Sequence, residues 1–278
     1  MSPQEPSPVG AYGQNQSADN ARRLAGLAYS TLPVKPLGGL PITWTNRDTA
    51  ADVLMAQALA RRGESTRPFY STSANGQVIV MCSEDQQIRE EFLEADQILA
   101  DGMPMVWLAR LKHKLPTNER VATTDLFHDV AERAEATGAT FYILGSDEPT
   151  NAEAVRQIEA KYPNLNVVGR RNGYFSLDEE AGIITEINGL APDFLWVGMG
   201  VPKEQAFVSR NIGQFTNVGV IKTSGGLFDF LSLKRSRAPK WMQTLGLEWL
   251  YRALLEPRRL GARYLQTNHR ALLKMLED

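Results

Sequence analysis

The sequence predicts an α/β fold: a parallel sheet with helices on both faces, followed by a C-terminal helical appendage. Three observations carry this reading. From Pro41 onward, short β-branched or aromatic runs alternate with longer segments of helical period, the pattern of parallel strands joined by helical crossovers. The 278 residues are 43% hydrophobic, a globular fraction that allows one large domain or two small ones. The charge, finally, is unevenly divided. Residues 234–278 hold ten Lys/Arg and four Asp/Glu, net +6, which leaves 20 basic against 28 acidic residues, net −8, in residues 1–233. An acidic body with a basic tail points to an anionic partner for the tail.

Residues 1–36 are rich in Ser, Pro, Gln, Asn and Ala without a period and are expected to be a disordered extension. Arg22-Arg23 and the LAGLAYS that follows are a poor signal peptide, because the apolar stretch is short and broken by Ser30, Thr31 and Pro33. The body is expected over residues 37–233. PITW (41–44) reads as a first strand, followed by a helix opened by Asn46 with Val53, Leu54 and Leu59 on its inner face. PFYSTS (68–73), DQILA (96–100), FYILG (141–145), NVVG (166–169), DFLWVGMG (193–200) and VGVIK (218–222) continue the strands. LFHDVAERAEATG (126–138) is helical with Gly138 as its stop, and NAEAVRQIEAKYP (151–163) is helical up to Pro163. QVIVMC (77–82) fits either a strand or a turn of helix running on to Glu94.

The tail, residues 234–278, reads as a helix over 241–256 ended by Pro257 and a second over 258–276. Arg252, Arg259, Arg263 and Arg270 share a stripe if the two run coaxially, beside Leu260, Tyr264, Ala271 and Met275 and with Trp241, Trp249 and Tyr251 nearby. Basic, aromatic and leucine residues together make an interfacial membrane helix; a helical hairpin packed on the body with solvated arginines accounts for the same pattern.

Several function classes fall away. No apolar run approaches the ~18–20 residues of a membrane span. Cys82 is the only cysteine, so there is no internal disulfide and a reducing compartment is expected. His113, His128 and His269 are scattered without metal-ligand spacing. Neither a GxGxxG fingerprint nor a GxxxxGK[ST] phosphate loop occurs. In parallel α/β sheets ligands bind beyond the carboxyl ends of the strands. That directs attention to Ser73 and Asn75, Asp101-Gly102, Gly145-Ser146, Gly198 to Lys203, and Thr223 to Gly226.

Seven strings, in order, carry a resemblance. They are EADQILADGMPMVWLAR (94–110), ERVATTDLF (119–127), FYILGS (141–146), VVGRRNGYF (167–175), PDFLWVGMGVPKEQAFV (192–208), GGLFDFL (225–231) and RAPKWMQTLGLEWLYRALLEPRRLGARYL (237–265). Over about residues 40–270 the chain resembles the WecG/TagA/CpsF family of bacterial glycosyltransferases. The resemblance implies an inverting, metal-independent transferase without a cofactor. It would move N-acetylmannosamine, its uronate or another hexose from a UDP-sugar to a polyprenyl-diphosphate-linked saccharide. It implies a Rossmann-like body and a C-terminal appendage that reaches the inner face of the cytoplasmic membrane and completes the active site. Exopolysaccharide or other surface polymers would be the product, nucleic acid would not be a partner, and pairing into a homo-oligomer is compatible.

On that resemblance Asp101 of ADG is the general base, the one group that inversion by in-line attack requires. By itself an Asp-Gly pair is usually a turn. Ser73-Ala74-Asn75 fits the family's Thr-x-Asn, placed 26 residues before the aspartate; Ser keeps the hydroxyl donor, and a polar strand-end turn is the alternative. Arg120 is expected to bind an acceptor or phosphate oxygen. Asp125, or Thr124, binds substrate or simply caps the helix near Leu126. Pro202-Lys203-Glu204-Gln205 stands where the family has Pro-Lys-Gln-Glu, so Lys203, Glu204 and Gln205 are substrate-binding candidates with the last two exchanged. No Asp-x-Asp metal pair is present, and Arg252, Arg259 and Arg263 are the candidates for stabilising the leaving UDP. A nucleotide-binding oxidoreductase and a nucleic-acid module using the tail are the competing readings. The first lacks its glycine fingerprint, and in the second the acidic body would repel a polyanion.

Overall fold

The computed structural model describes residues 29–116 and 119–277, without the side chains of residues 259, 260 and 262–266. Eight strands form one sheet among the described residues: β1 (Val34–Leu37), β2 (Leu40–Thr43), β3 (Phe69–Ala74), β4 (Gln97–Ala100), β5 (Thr140–Gly145), β6 (Asn166–Arg171), β7 (Phe194–Gly198) and β8 (Val220–Thr223). Their order is β1-β2-β4-β3-β8-β7-β5-β6. Every neighbouring pair is parallel except β1 with β2, an antiparallel hairpin turned at Gly38-Gly39.

The helices cover both faces, and their starts are set by local chemistry. Asn46 caps α1 (Arg47–Arg61), its Oδ1 accepting the Thr49 N–H at 2.7 Å. QVIVMC is helical: α2 (Gly76–Glu84) is capped by Asn75 and followed, after the Asp85 cap, by α3 (Gln86–Leu93). Its apolar run is continuous because Val78, Ile79, Val80 and Cys82 are all buried. α4 (Met103–His113) follows β4, and α5 (Thr123–Thr137) stops at Gly138, whose φ of 64° is the left-handed conformation glycine adopts without cost. α6 (Glu148–Lys161) starts three residues before its expected first residue, because Asp147 caps it by accepting the Thr150 N–H at 2.8 Å. α7 (Glu180–Leu190), α8 (Lys203–Asn211) and the short α9 (Leu227–Leu231) complete the body.

Alternation along β7 sorts the core. Phe194 and Trp196 pack with Phe127 and Phe141 on one face, while Leu195 and Val197 pack with Tyr142, Ile184 and Phe207 on the other. A strand buried on both sides reads as an unbroken apolar run, which is why FLWV was legible. Strands β5 and β7 approach so closely at their carboxyl ends that a Cβ on Gly145 would lie 2.2 Å from the Gly198 carbonyl oxygen.

Three expectations change. Residues 1–28 of the expected extension lie outside the described residues, but Tyr29–Thr31 is a 3-10 turn and Val34–Leu37 is strand β1, so the sheet begins before residue 37. The sheet is mostly rather than wholly parallel. The 241–256 segment is two helices, α10 (Lys240–Thr244) and α11 (Glu248–Leu255), broken at Gly246, whose φ is 65°. A π-helical turn, Pro257–Gly261, then leads into α12 (Ala262–Glu277). The appendage packs on the body: Ala271 and Met275 of α12 are 3% and 2% exposed within the cluster formed by α2, α4 and β4.

Candidate active site

The candidate site lies beyond the carboxyl ends of the three adjacent strands β4, β3 and β8. Asp101 follows β4 directly, and its N–H donates to the Ala74 carbonyl at 2.8 Å, locking it beside the end of β3. The segment before α5 returns along the same edge, where Val121 N–H donates to the Ala100 carbonyl at 2.9 Å. That pairing sets Arg120 and Thr123 on either side of the aspartate. Thr123 N–H donates to Asp101 Oδ2 at 3.4 Å, and Arg120 Nη1 is 3.9 Å from Asp101 Oδ1.

Asp101 is thus half-buried, and burial pushes its carboxyl above the ordinary aspartate range although Arg120 and the Thr123 N–H oppose the shift. A carboxylate of raised proton affinity, still 26% exposed, is suited to accept a proton from a bound hydroxyl. Asn75 stands next to it. Its Oδ1 is engaged as the α2 cap, accepting the Val78 N–H at 3.2 Å, and this fixes the carboxamide with its Nδ2 as an exposed donor. Ser73 sits deeper, its Oγ 3.2 Å from Thr123 Oγ1 and accepting from the Lys222 ammonium at 2.9 Å.

The appendage enters the site through Arg120. Glu248, at the start of α11, accepts a hydrogen bond from Arg120 Nη2 and another from Arg237 Nε at 2.8 Å. Arg237 in turn holds both oxygens of Asp125, at 3.1 and 3.3 Å, and donates to Gln243 Oε1 at 2.6 Å. Burial would raise the Glu248 carboxyl, but Arg120 and Arg237 outweigh it and hold it below the usual range. Body and tail are therefore joined by an alternating chain, Asp101–Arg120–Glu248–Arg237–Asp125, in which only Asp101 is left without a close cationic contact.

The structure brings Asp101, Ser73, Asn75 and Arg120 together and gives Asp125, Lys203, Glu204, Gln205 and Arg252 partners of their own. Asp125 does not cap α5; the cap position is Ala122, with no side-chain bond, and Asp125 serves as the Arg237 partner. Glu204 is 2% exposed and accepts from the N–H groups of Met199, Gly200 and Gly225 at 3.0–3.2 Å, so it braces the turns after β7 and β8. Burial lifts its carboxyl to about 7 despite those donors. Gln205, fully buried, reaches Thr72 Oγ1 at 3.3 Å and Thr223 Oγ1 at 3.5 Å. These internal bonds hold Glu204 by both carboxylate oxygens and Gln205 through its Nε2, while Gln205 Oε1 is buried without a partner. Lys203 donates to the Gly173 carbonyl at 2.7 Å and lies over Tyr174, 5.4 Å from the ring centre, toward the far edge of the sheet.

Arg252 stacks on Phe230 with its guanidinium carbon 5.7 Å from the ring centre. It lines a cavity of ≈ 370 Å³ with Lys234, Arg235, Ser236 and Glu256. Arg259 lies in the π turn and Arg263 in α12; their side chains are outside the described ones. Arg270, the last of the expected stripe, pairs with Glu84 of α2 and is not a free cation.

Sequence reading missed Lys222, Thr123, Arg237 and Glu248. Lys222 carried a signal, a lone cation inside the apolar strand VGVIKT. Arg237 and Glu248 lie in the string over 237–265, but nothing in it links them to their partners Asp125 and Arg120, 112 and 128 residues away. Among the described residues no group of three or more His, Cys, Asp or Glu side chains is arranged to hold a metal ion. Over residues 35–278 the chain matches the model of the glycosyl transferase WecG/TagA/CpsF family; it belongs to that family and is a glycosyltransferase of cell-surface polysaccharide synthesis.

Proposed function

We propose that the protein is an inverting hexosyltransferase that moves one sugar, N-acetylmannosamine or a related hexose, from a UDP donor to a polyprenyl-diphosphate-linked saccharide. The observation that carries this reading is the setting of Asp101: one strand-end carboxylate of raised proton affinity, flanked by the donors of Asn75, Arg120 and Thr123. Inversion needs a single base. Asp101 takes the proton of the acceptor hydroxyl as its oxygen bonds to the anomeric carbon, and the bond from that carbon to the UDP oxygen breaks on the opposite face. The electron pair leaves with UDP, where negative charge grows on the β-phosphate and must be met by fixed positive charge. Arg252, Arg259 and Arg263 of the appendage are assigned that task, and no metal or organic cofactor is invoked. Arg120 positions an acceptor or phosphate oxygen in front of Asp101.

The test is UDP release from a panel of UDP-sugars with a short-chain diphospholipid-linked acceptor. One UDP-hexose is expected to turn over only when acceptor is present. Equal release without acceptor, or none with any sugar, contradicts the reading.

The acceptor is membrane-bound, and the appendage supports docking on the inner face of the cytoplasmic membrane. No described helix is long and apolar enough to cross a bilayer. Exposed apolar side chains gather instead on α4 (Trp107, Leu111), α10 and α11 (Trp241, Leu254) and α12 (Leu273, Leu276), each at least 49% exposed. With the net +6 of the tail, this is the composition that seats in an anionic lipid surface. Co-sedimentation with vesicles containing anionic lipid is expected to exceed that with neutral vesicles and to fall when Trp241 and Leu273 are replaced by Ser. Binding indifferent to both changes contradicts the docking surface.

A further inference from the structure

Lys222 lies at the end of β8 and is fully buried. It lies beside Ser71 of β3 and Trp196 of β7 in the sheet. It therefore shares the apolar face of Trp196 and has no access to substrate. A buried ammonium persists only where its N–H groups are spent and its charge is compensated. Its Nζ donates to Ser73 Oγ at 2.9 Å and to the Thr223 carbonyl at 3.0 Å. The carboxylates that face it are Glu204 of α8 and Asp101 beyond β4.

An ammonium only donates. Ser73 Oγ must therefore accept from Lys222, and its own hydrogen must point elsewhere, toward Thr123 Oγ1 at 3.2 Å. Thr123 then accepts, which frees its hydroxyl hydrogen for the space in front of Asp101. The same residue already gives its N–H to Asp101 Oδ2 at 3.4 Å. Without a buried cation, the two hydroxyls have no preferred direction and either one could donate.

We propose that Lys222 is a positioning residue: its ammonium sets the direction of the chain Lys222 to Ser73 to Thr123, so that a hydroxyl hydrogen is presented to the sugar bound at Asp101. The inference rests on the glycosyl-transfer reading of the site and adds a residue that never touches substrate. It also implies a limit on the alkaline side. Burial lowers the Lys222 ammonium to about 8, and the neutral amine formed above that pH accepts as well as donates, so the direction is lost.

The experiment compares Lys222→Met, Ser73→Ala and the double variant by steady-state UDP release from pH 6 to 10. Met keeps the length and apolar body of the side chain, and replacing a buried cation by an apolar group often preserves stability. For Lys222→Met we expect kcat to fall roughly 10- to 100-fold, as for small misplacements of reacting groups, with donor KM within about twofold and with the alkaline limb absent. In the Ser73→Ala background the Lys222→Met change should cost less than about threefold, because its effect passes through Ser73. A retained alkaline limb, or additive losses in the double variant, overturns the proposal. A merely structural lysine lowers the folded fraction and leaves the pH profile of the remaining activity unchanged. If the wild-type protein transfers no sugar, it is the functional reading that fails, and NMR of lysine-labelled full-length protein decides the rest. There Ser73→Ala must move the Lys222 titration to lower pH; an unmoved titration overturns the proposed bond.

Discussion

Asp101→Asn is expected to lower kcat by about 10²–10⁴-fold, the range for removal of a general base, while thermal unfolding and UDP-sugar binding stay close to wild type. The amide has nearly the shape of the carboxylate and retains an oxygen for the Thr123 N–H, so the local fold has no cause to move. What it loses is proton affinity. The pH dependence carries the sign. The base acts only when ionised, so wild-type kcat/KM must rise with pH through the pKa of Asp101. Burial places that pKa above the ordinary aspartate range, and the acid limb must lie correspondingly high. In Asp101→Asn the residual activity should show no such limb. Near-normal turnover, or an unchanged limb, would show that another group takes the proton.

Deletion of residues 237–278 is expected to reduce turnover at least 10²-fold, for a reason that the ion chain makes specific. Arg120 is shared between Asp101, at 3.9 Å, and Glu248, with which it is in hydrogen-bond contact. Removing Glu248 leaves the guanidinium with Asp101 as its nearest carboxylate. A close pair would lower the proton affinity of Asp101 and cover the face that an acceptor hydroxyl must reach. The deletion also uncovers the apolar surface beneath Ala271 and Met275, so its effect mixes stability with catalysis. Glu248→Gln separates them, since it keeps the volume and removes the charge. For this variant kcat is expected to fall on the order of tenfold, with the acid limb of kcat/KM displaced to lower pH; opposite-charge neighbours of a carboxylate act in that direction. A truncated protein of full activity would contradict the coupling of tail to site.

The fold was legible where local chemistry and burial agree. β5, β7 and α5 have their apolar periods and glycine stops in the sequence, and the strand ends at Ser73, Asp101 and Thr223 fell where the parallel-sheet rule put them. β1 was not legible, because VKPL lies among prolines and glycines and is a strand only through its pairing with β2. QVIVMC was ambiguous because a helix buried under another helix loses its polar face; the Asn75 cap decides it. The tail helix looked continuous because its apolar period passes through Gly246, whose left-handed conformation breaks it.

The site divides the same way. Asp101, Ser73, Asn75 and Arg120 come from short motifs whose strands adjoin, so a string match and a strand-end rule were enough. Glu204 and Gln205 belong to an equally specific string but are buried inside the protein, which no string reveals. The pairings of Glu248 with Arg120 and of Arg237 with Asp125 became visible only in three dimensions. They add to the role of the tail: besides the positive charge proposed for phosphates, it holds a carboxylate that pairs with Arg120 beside Asp101.

The account turns on one base and one in-line displacement, and the anomeric configuration of the product reads this directly. The full-length protein, given the UDP-sugar it turns over and the diphospholipid acceptor, should form a glycoside whose anomeric proton coupling in NMR shows inversion relative to the donor. Retention of the donor configuration would require a second displacement or a front-face mechanism, and would contradict the assignment of Asp101 as the base of a single-displacement transfer.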